Sequence, residues 1–290
     1  MRFFEENIMI QAGLVLEGGG LRGIYTAGVL DFFMDKGLVF ENCYGVSMGA
    51  CNLCSYISWQ RGRALAVSMD YMDDKNYCGI IPLIKTGDLF NVKMAYEDIP
   101  FRDNPFDFDK ALQYPGNAYA VMTDVVTGRA VYPRINDLKN SLTYVRASAS
   151  MPLVSRMVQI DGRGYLDGGI ADSIPIMRSL HDGNDKNIVV MTKETGYVRK
   201  PFSMMPAARI MYRKYPALLR DMALRHKRYN KVTAFLEREH KRGNIFLIRP
   251  SVDIGVGRVE KDKEKIMALY RQGYDEAKDC YDDMMKYLSI

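Results

Sequence analysis

Residues 12–34 have the sequence AGLVLEGGGLRGIYTAGVLDFFM. The apolar run Ala12–Leu16 is typical of a buried strand, and it stops at Glu17 and a cluster of glycines. From Ile24 to Met34 the apolar residues recur at helical spacing. The segment therefore predicts a strand, a tight turn and a helix in direct succession.

The following residues repeat this arrangement. Phe40–Tyr44 is a second strand candidate that ends at Gly45, and Ala50–Trp59 is a second helix candidate. Later strands are predicted at Ala118–Asp124, Ile188–Met191 and Asn244–Ile248. Strands that alternate with helices predict a mostly parallel central sheet.

Two hairpins are expected to extend this core. Thr127-Gly128 is predicted to turn the chain back into a short strand at Ala130–Tyr132, and Asp161–Gly164 is predicted to connect two further short strands. Leu138–Ala149 has a helical pattern that Pro152 ends. The interpretation is an α/β core with β-ribbon additions.

Beyond the last α/β signals the pattern becomes helical. Phe202–Arg242 is basic and rich in Met and Tyr, and Glu260–Leu288 is a long charged amphipathic helix or a pair of helices. No internal repeat or flexible linker divides the chain. We therefore expect one domain over residues 1–290, with a motif-bearing core at about 13–192 and a helical elaboration at about 202–290.

Composition excludes several classes of protein. The 290 residues are 48% hydrophobic and 26% charged, which is ordinary for a globular chain and unlike a fibrous or disordered one. A net charge of +5 is too mild to indicate nucleic acid as a partner. Between Arg209 and Arg242, however, eleven Lys or Arg face three acidic residues. This basic segment is either a solvated cationic face or a surface for anionic lipid headgroups, which leaves both interpretations open.

Cysteine usage and the first residues bear on the compartment. Five dispersed cysteines favour a reducing environment, and Met1–Gln11 is unlike a secretory signal. No run reaches the roughly 18 apolar residues of a membrane helix. A cytoplasmic protein is expected, with peripheral contact at the inner membrane face as an option. Cys51 and Cys54 form a CxxC, for which two small helix residues near the core are favoured over zinc or redox chemistry.

Gly45–Gly49, GVSMG, places a GxSxG motif between a predicted strand and a predicted helix. The turn must be so tight that both glycine positions exclude a side chain, which presents the hydroxyl of Ser47 at a helix N-terminus. Ser47 is therefore the candidate nucleophile.

The first glycine-rich turn, Glu17–Gly23, admits three interpretations. Consecutive amides without side chains form a cradle for an anion, either a phosphate or the oxyanion of a tetrahedral intermediate. The turn also matches GxGxxG, with Glu41 as a candidate ribose ligand of a dinucleotide fold. A tight packing turn is the third interpretation.

A general base is harder to find among the histidines. His181, His226 and His240 all lie late in the chain and outside any motif. Asp167-Gly168-Gly169 is the better candidate, because an acid before two glycines indicates a carboxylate in a turn that backbone approaches closely. A plain turn aspartate is the alternative.

Three motifs in this order, GGGLRG at Gly18–Gly23, GVSMG at Gly45–Gly49 and DGG at Asp167–Gly169, resemble the patatin-like phospholipase family. TDVVTGR at Thr123–Arg129 and RASASMP at Arg146–Pro152 are similar too. The likeness extends over about residues 13–192.

This resemblance implies a three-layer α/β/α sandwich and a hydrolase of carboxylic esters of lipids that needs no metal or cofactor. By the same likeness Ser47 is the nucleophile and Asp167 the base. The oxyanion hole would comprise the amides of Gly18, Gly19, Gly20 and Met48. Arg22 matches a loop arginine that holds the loop or attracts an anionic headgroup. The chain has Ser173 where the family often has Asn, which puts any contact of that residue in doubt.

Three other functions stay open from the residues alone. A thioesterase or acyltransferase would use the same dyad, with a different acceptor for the acyl group. A nucleotide-binding module would use the GxGxxG turn. A catalytically inactive membrane adaptor would use only the basic segment.

Overall fold

A computed structural model describes Phe4, residues 6–137 and residues 141–290. In this part of the chain eight strands form one sheet. Their bounds are β1 Ile8–Leu16, β2 Leu38–Val46, β3 Asn117–Asp124, β4 Ala130–Val131, β5 Val158–Ile160, β6 Arg163–Asp167, β7 Asn187–Val190 and β8 Phe246–Ile248.

Eleven α-helices accompany these strands in the described residues. They are α1 Ile24–Asp35, α2 Met48–Ile57, α3 Arg63–Tyr71, α4 Ile80–Thr86, α5 Phe108–Gln113, α6 Ser141–Ser148, α7 Ile176–His181, α8 Met205–Met211, α9 Pro216–Lys241, α10 Lys263–Asp279 and α11 Tyr281–Leu288. Short 3-10 turns occupy Gly20–Gly23 and Gly168–Ile170, and a π-helix occupies Met94–Asp103.

The sheet is parallel at its centre and antiparallel at one edge. Its order is β5-β6-β3-β2-β1-β7-β8, with β4 paired to β3. Strands β3, β2, β1, β7 and β8 run parallel, whereas β4, β5 and β6 pair antiparallel. From β1 the chain continues to β2 and β3 on one side of the sheet, whereas β7 and β8 lie on the other side. Open α/β sheets bind ligands at such a switch point, beside the carboxyl ends of the strands.

Helices cover both faces of this sheet. Leu14 and Leu16 of β1 pack into one hydrophobic cluster with residues of α1, α2, α10 and α11. Val15, between them, packs into another cluster with residues of α7 and α9. Since successive strand residues point to opposite faces, these two clusters are the two sides of the sheet. The predicted three-layer α/β/α sandwich with a mostly parallel sheet is confirmed.

The second hairpin is tighter than predicted. Asp161 and Gly162 both have positive φ, 49° and 76°, and Ile160 pairs directly with Arg163. A two-residue turn with two positive φ values matches the right-handed twist of the flanking strands. Arg163 and Gly164 therefore belong to β6 rather than to the turn. The predicted helix over Leu138–Ala149 is present as α6, and residues 138–140 lie outside the described residues.

The C-terminal helices are packed closely on the core. Gly28 of α1 and Gly273 of α10 face each other's helices, so that a Cβ at Gly28 would clash with the carbonyl of Tyr270 and one at Gly273 with the carbonyl of Tyr25. The two backbones approach because neither glycine has a side chain. That residues 1–290 form one domain stays a prediction. No helix in the described ranges is long and apolar enough to cross a membrane.

Candidate active site

Ser47 occupies a strained turn between β2 and α2. Its φ of 55° and ψ of −122° are unusual for a residue with a side chain. A Cβ at Gly45 would lie 2.7 Å from Cα of Ala50, and one at Gly49 would lie 2.8 Å from the carbonyl oxygen of Leu16. Only glycine fits at these two positions, which explains the GxSxG pattern physically.

Backbone contacts hold this turn in place. The amide of Ser47 donates to Oγ of Ser148 at 2.8 Å, and the carbonyl of Ser47 accepts from the amides of Ala50 and Cys51. The amide of Ser47 is therefore occupied. The next amide, that of Met48, lies in the first turn of α2, where no intrahelical acceptor exists.

The glycine loop after β1 lies directly against this turn. A Cβ at Gly18 would be 3.0 Å from Cβ of Ser47, and one at Gly19 would be 2.6 Å from Oγ1 of Thr192. Gly20 has a φ of 61°, a conformation that favours glycine. The amides of Gly18 and Gly19 donate no hydrogen bond to any residue that the structure describes. Two free donors thus lie beside the serine.

Asp167 ends β6 and is 5% exposed. Its amide donates to the carbonyl of Ser150 at 2.8 Å, and its Oδ1 accepts from the amide of Gly169 at 2.7 Å. A Cβ at Gly168 would clash with the carbonyl of Val121 on β3. The two glycines after Asp167 thus allow the backbone to turn at the sheet surface. Oδ2 makes no hydrogen bond within the described part of the chain and is available as an acceptor.

Ser47 and Asp167 line one cavity of about 140 Å³. We call it the arginine cavity, because its wall also includes Arg22, Arg199, Arg225 and Arg258. Gly18, Gly19 and Gly20 line it as well. The structure therefore brings together residues of all three sequence motifs, which lie far apart in the chain.

Ser47 also borders the first of two apolar cavities that share several lining residues. The first, about 110 Å³, is lined by Ser47 and Met48 and by apolar side chains such as Tyr77, Phe90 and Tyr96. The second, about 130 Å³, adjoins it and is lined by Met48, Tyr77 and Tyr96 as well as Ile99. An elongated apolar group attached at Ser47 would find space here.

One family model decides the classification. The model described as patatin-like phospholipase matches residues 14–179, which is more than half of the chain. The chain belongs to the patatin-like phospholipase family. A second model, a domain of unknown function (DUF6363), matches residues 215–289.

Several relatives are similar to this patatin-like chain. The uncharacterized protein YjjU of Escherichia coli is 33% identical over 183 residues, which cover 62% of this chain and 51% of that protein. The uncharacterized NTE family protein Rv2565 of Mycobacterium tuberculosis is 24% identical over 200 residues, 67% of this chain and 32% of that protein. The chain thus spans about half or less of the length of these relatives. Among solved structures, VipD of Legionella pneumophila superposes with a TM-score of 0.48 at 14% identity, covering 94% of this chain and 67% of that chain.

A buried carboxylate that the sequence analysis did not single out supports the glycine loop of this patatin-like site. Glu17 is 0% exposed and directly precedes Gly18. Its Oε2 accepts from the amide of Thr192 at 2.7 Å, and its Oε1 accepts from the hydroxyl of Tyr229 at 2.7 Å. Burial raises the pKa of Tyr229, and the carboxylate of Glu17 raises it further. The position of Glu17 between a buried strand and three glycines was the sequence signal that could have indicated this role.

The histidines are the other candidates for the general base. Within the described residues no histidine lines the arginine cavity or the two apolar cavities. His181 is exposed at the end of α7, and Nδ1 of His240 lies 3.1 Å from the carbonyl of Ile245. The choice of Asp167 over a histidine stays a prediction that this geometry favours.

The dinucleotide interpretation of the glycine turn does not fit the patatin-like fold. In a dinucleotide-binding fold, the carboxylate that binds the ribose lies at the carboxyl end of the second strand. Glu41 instead lies in the middle of β2, and Ser47 follows the end of that strand. Glu41 as a ribose ligand is therefore wrong, because the strand continues past it.

The CxxC cysteines both lie on α2 with free thiols. Cys51 borders the two apolar cavities, and burial raises the pKa of its thiol to about 12. A thiol with so high a pKa is a poor nucleophile at neutral pH.

The basic segment divides into two sets. Arg225 lines the arginine cavity, and Arg228 pairs with Asp221 at 3.0 Å and donates to the carbonyl of Ile170. Arg225 is therefore not part of a solvated cationic face, because α9 presents it to the arginine cavity. The other basic residues of the segment are exposed: Arg209, Arg213, Lys214, Arg220, Lys227, Lys231, Arg238, Lys241 and Arg242.

Proposed function

We propose that this protein is a serine acyl hydrolase that cleaves carboxylic esters of lipids through a Ser47–Asp167 dyad. The observation that carries the proposal is the strained turn of Ser47, which borders one cavity together with Asp167 and the glycine loop. Membership of the patatin-like phospholipase family supports lipid acyl hydrolysis in general.

In the first step Oγ of Ser47 attacks the ester carbonyl carbon while its proton passes to Asp167. Oδ1 of Asp167 is held by the amide of Gly169, so Oδ2 is the oxygen that would take the proton. An aspartate suffices here because it needs only to accept the proton in the transition state and return it to the leaving alcohol. The C–O bond to the alcohol then breaks and leaves an acyl ester on Ser47.

The negative charge that develops on the carbonyl oxygen needs donors already in place. The amides of Gly18 and Gly19 have no acceptor among the described residues, and that of Met48 lies in the first turn of α2. Free amides that face a developing oxyanion are worth about 10²–10³ in rate each, since they need not reorganise. Gly20 contributes the left-handed conformation that turns the loop toward the serine.

In the second step water hydrolyses the acyl ester. Asp167 takes a proton from the attacking water and returns it to Oγ of Ser47, which releases the carboxylic acid and restores the enzyme. The whole cycle balances without a metal or cofactor. The apolar cavities beside Met48 suit the acyl chain, which favours phospholipase A, lysophospholipase or lipid esterase chemistry.

The exposed basic residues of Arg209–Arg242 suit peripheral contact with an anionic membrane surface. Each basic side chain near such a surface contributes about 1 kcal/mol of binding free energy. This contact would bring the esterase to its lipid substrate and is separate from the chemistry of the dyad.

Labelling with a fluorophosphonate probe, together with turnover of a soluble short-chain ester, tests the proposal. The wild type should be labelled and active, and Ser47→Ala should lose both. Ser68→Ala is the matched control, since that buried hydroxyl bonds the carbonyl of Ala64 on α3 and lies on no cavity described above. Equal labelling of wild type and Ser47→Ala would overturn the assignment.

A further inference from the structure

The arginine cavity holds more positive charge than the dyad requires. Arg199 is 9% exposed, and its Nε and Nη1 are buried without a hydrogen-bond partner among the described residues. Its ion pair with Glu17 is long, 3.6 Å from Nη2 to Oε1, and its guanidinium lies over the ring of Tyr229. Most of the donors of this buried side chain are therefore unused.

Arg225 approaches the same cavity from α9. A Cβ at Gly169 would lie 2.7 Å from Nη2 of Arg225 and 3.0 Å from Oδ1 of Asp167, so the missing side chain leaves room for the guanidinium. Nε of Arg225 has no hydrogen-bond partner in the part of the chain that the structure describes. Burial, and then repulsion from Arg199, lowers the pKa of Arg225 to about 10.

The charges of this cavity are not balanced by the protein. Among the described residues no carboxylate lies within 4.0 Å of the charged nitrogens of Arg22, Arg225 or Arg258, and Asp167 is the acidic residue in the wall. Arg228, one turn from Arg225 on α9, is by contrast paired with Asp221. Arg199 is buried, Arg22 and Arg225 are half-buried, and Arg258 is exposed. Burying charges without a paired carboxylate is costly, so an anion that binds beside the first three arginines compensates for the missing counter-charge.

We infer that the arginine cavity binds the phosphate monoester headgroup of the lipid whose ester Ser47 cleaves. This inference rests on the proposed function. Planar guanidinium groups bind phosphate oxygens in pairs, and several of them match the two charges of a monoester better than a neutral headgroup. The substrate class is therefore an acylglycerol phosphate with a terminal phosphate.

The origin of the arginines gives the C-terminal region a role. Arg22 belongs to the part that matches the patatin-like model, at residues 14–179. Arg199 follows that part, and Arg225 and Arg258 lie within the domain of unknown function at residues 215–289. This domain then selects the headgroup of a reaction that the patatin core carries out.

The test compares kcat/KM for an oleoyl acylglycerol phosphate with kcat/KM for the uncharged oleoyl acylglycerol, both in detergent micelles. The kcat/KM of the wild type should be at least about tenfold higher for the acylglycerol phosphate, because its phosphate accepts several charge-assisted hydrogen bonds. Arg225→Gln and Arg258→Gln should each lower this ratio about tenfold. Arg258 is exposed in the segment between β8 and α10, so its variant keeps the test independent of folding.

Lys261→Gln is the matched control, because it removes a positive charge from the same exposed segment outside the arginine cavity. Its ratio should equal that of the wild type. Ser47-dependent hydrolysis with a ratio near one would overturn the headgroup site and leave the acyl hydrolase standing.

A binding measurement separates the remaining outcomes. Titration calorimetry of glycerol phosphate into the Ser47→Ala protein should give binding that Arg258→Gln weakens about tenfold. If no ester is hydrolysed, the proposed function fails, and absence of this binding would overturn the anion site as well. Equal binding of inorganic phosphate, with no preference for the acylglycerol phosphate in turnover, would assign the cavity to a free anion and overturn the headgroup assignment.

Discussion

The patatin core at residues 14–179 and the C-terminal region at residues 215–289 reach the same cavity in different ways. The core supplies Ser47 and Asp167 at the ends of strands, each within a short motif whose glycines make the local backbone possible. The C-terminal region supplies Arg225 and Arg258 from a helix and an exposed segment without a motif. In the proposed hydrolase the catalytic residues are thus encoded by local motifs, whereas the surroundings of the substrate depend on long-range packing.

The largest effect should come from the core. Asp167→Asn keeps the shape of the side chain but removes the acceptor of the serine proton, so kcat should fall by about 10³-fold or more. Ester turnover measures it, and Asp172→Asn, which changes a half-buried carboxylate outside the arginine cavity, is the control. Activity of Asp167→Asn within about tenfold of wild type would remove Asp167 from the dyad.

A smaller loss is expected from the glycine loop. Gly19→Val would place a side chain against Oγ1 of Thr192 and displace the amide that faces the oxyanion. We expect kcat to fall about 10²-fold with KM changed much less, because the contact is made mainly in the transition state. Steady-state kinetics on a soluble ester measure both constants. An unchanged kcat would mean that these glycines serve packing alone.

Exposed charges of the C-terminal region should affect membrane binding but not chemistry. Lys227→Gln combined with Lys231→Gln should weaken binding to anionic vesicles about thirtyfold, from about 1 kcal/mol for each lysine. Cosedimentation at two salt concentrations measures this effect, and Lys286→Gln on α11 is an exposed control. Wild-type binding that is absent or insensitive to salt would favour a merely solvated face.

One contact joins the two regions directly. Tyr229 of α9 donates to the buried Glu17, whose carboxylate also holds Thr192. Tyr229→Phe removes a charge-assisted donor from a buried acceptor and should lower the free energy of unfolding by about 1–3 kcal/mol. Chemical denaturation measures the loss. A variant as stable as wild type would mean that the C-terminal region does not support the glycine loop through this bond.

The smallest effect is expected from the histidines. The triple variant His181→Ala, His226→Ala, His240→Ala should keep turnover of a soluble ester within about tenfold, since none of the three lines the site. If one of these changes alone lowers ester turnover by about a hundredfold or more in a folded protein, a triad must replace the dyad.

Sequence patterns predicted the parts of this molecule that depend on neighbouring residues. The two strand–turn–helix units and the parallel sheet follow from local periodicity, and the serine turn follows from its glycines. Between Arg63 and Asp103 the chain instead forms two short helices and a π-helix, for which no clear period was available. Their half-buried side chains form much of the wall of the apolar cavities.

Local sequence patterns could not predict the arginine cavity. Arg22 was predicted from its motif, but Arg225 looked like one more member of a cationic face. Glu17 and Tyr229, which bond each other, lie 212 residues apart in the chain. Contacts of this kind depend on how whole helices pack, and a single sequence does not specify them by spacing.

The proposed mechanism requires that Ser47 carries the acyl group during turnover. Acid quenching during hydrolysis of an oleoyl ester, followed by peptide mass spectrometry, would detect this acyl-serine. The peptide containing Ser47 should gain the mass of one oleoyl group, and Ser47→Ala should show no acylated peptide. An acyl group on another residue, or turnover by Ser47→Ala at the wild-type rate, would contradict it.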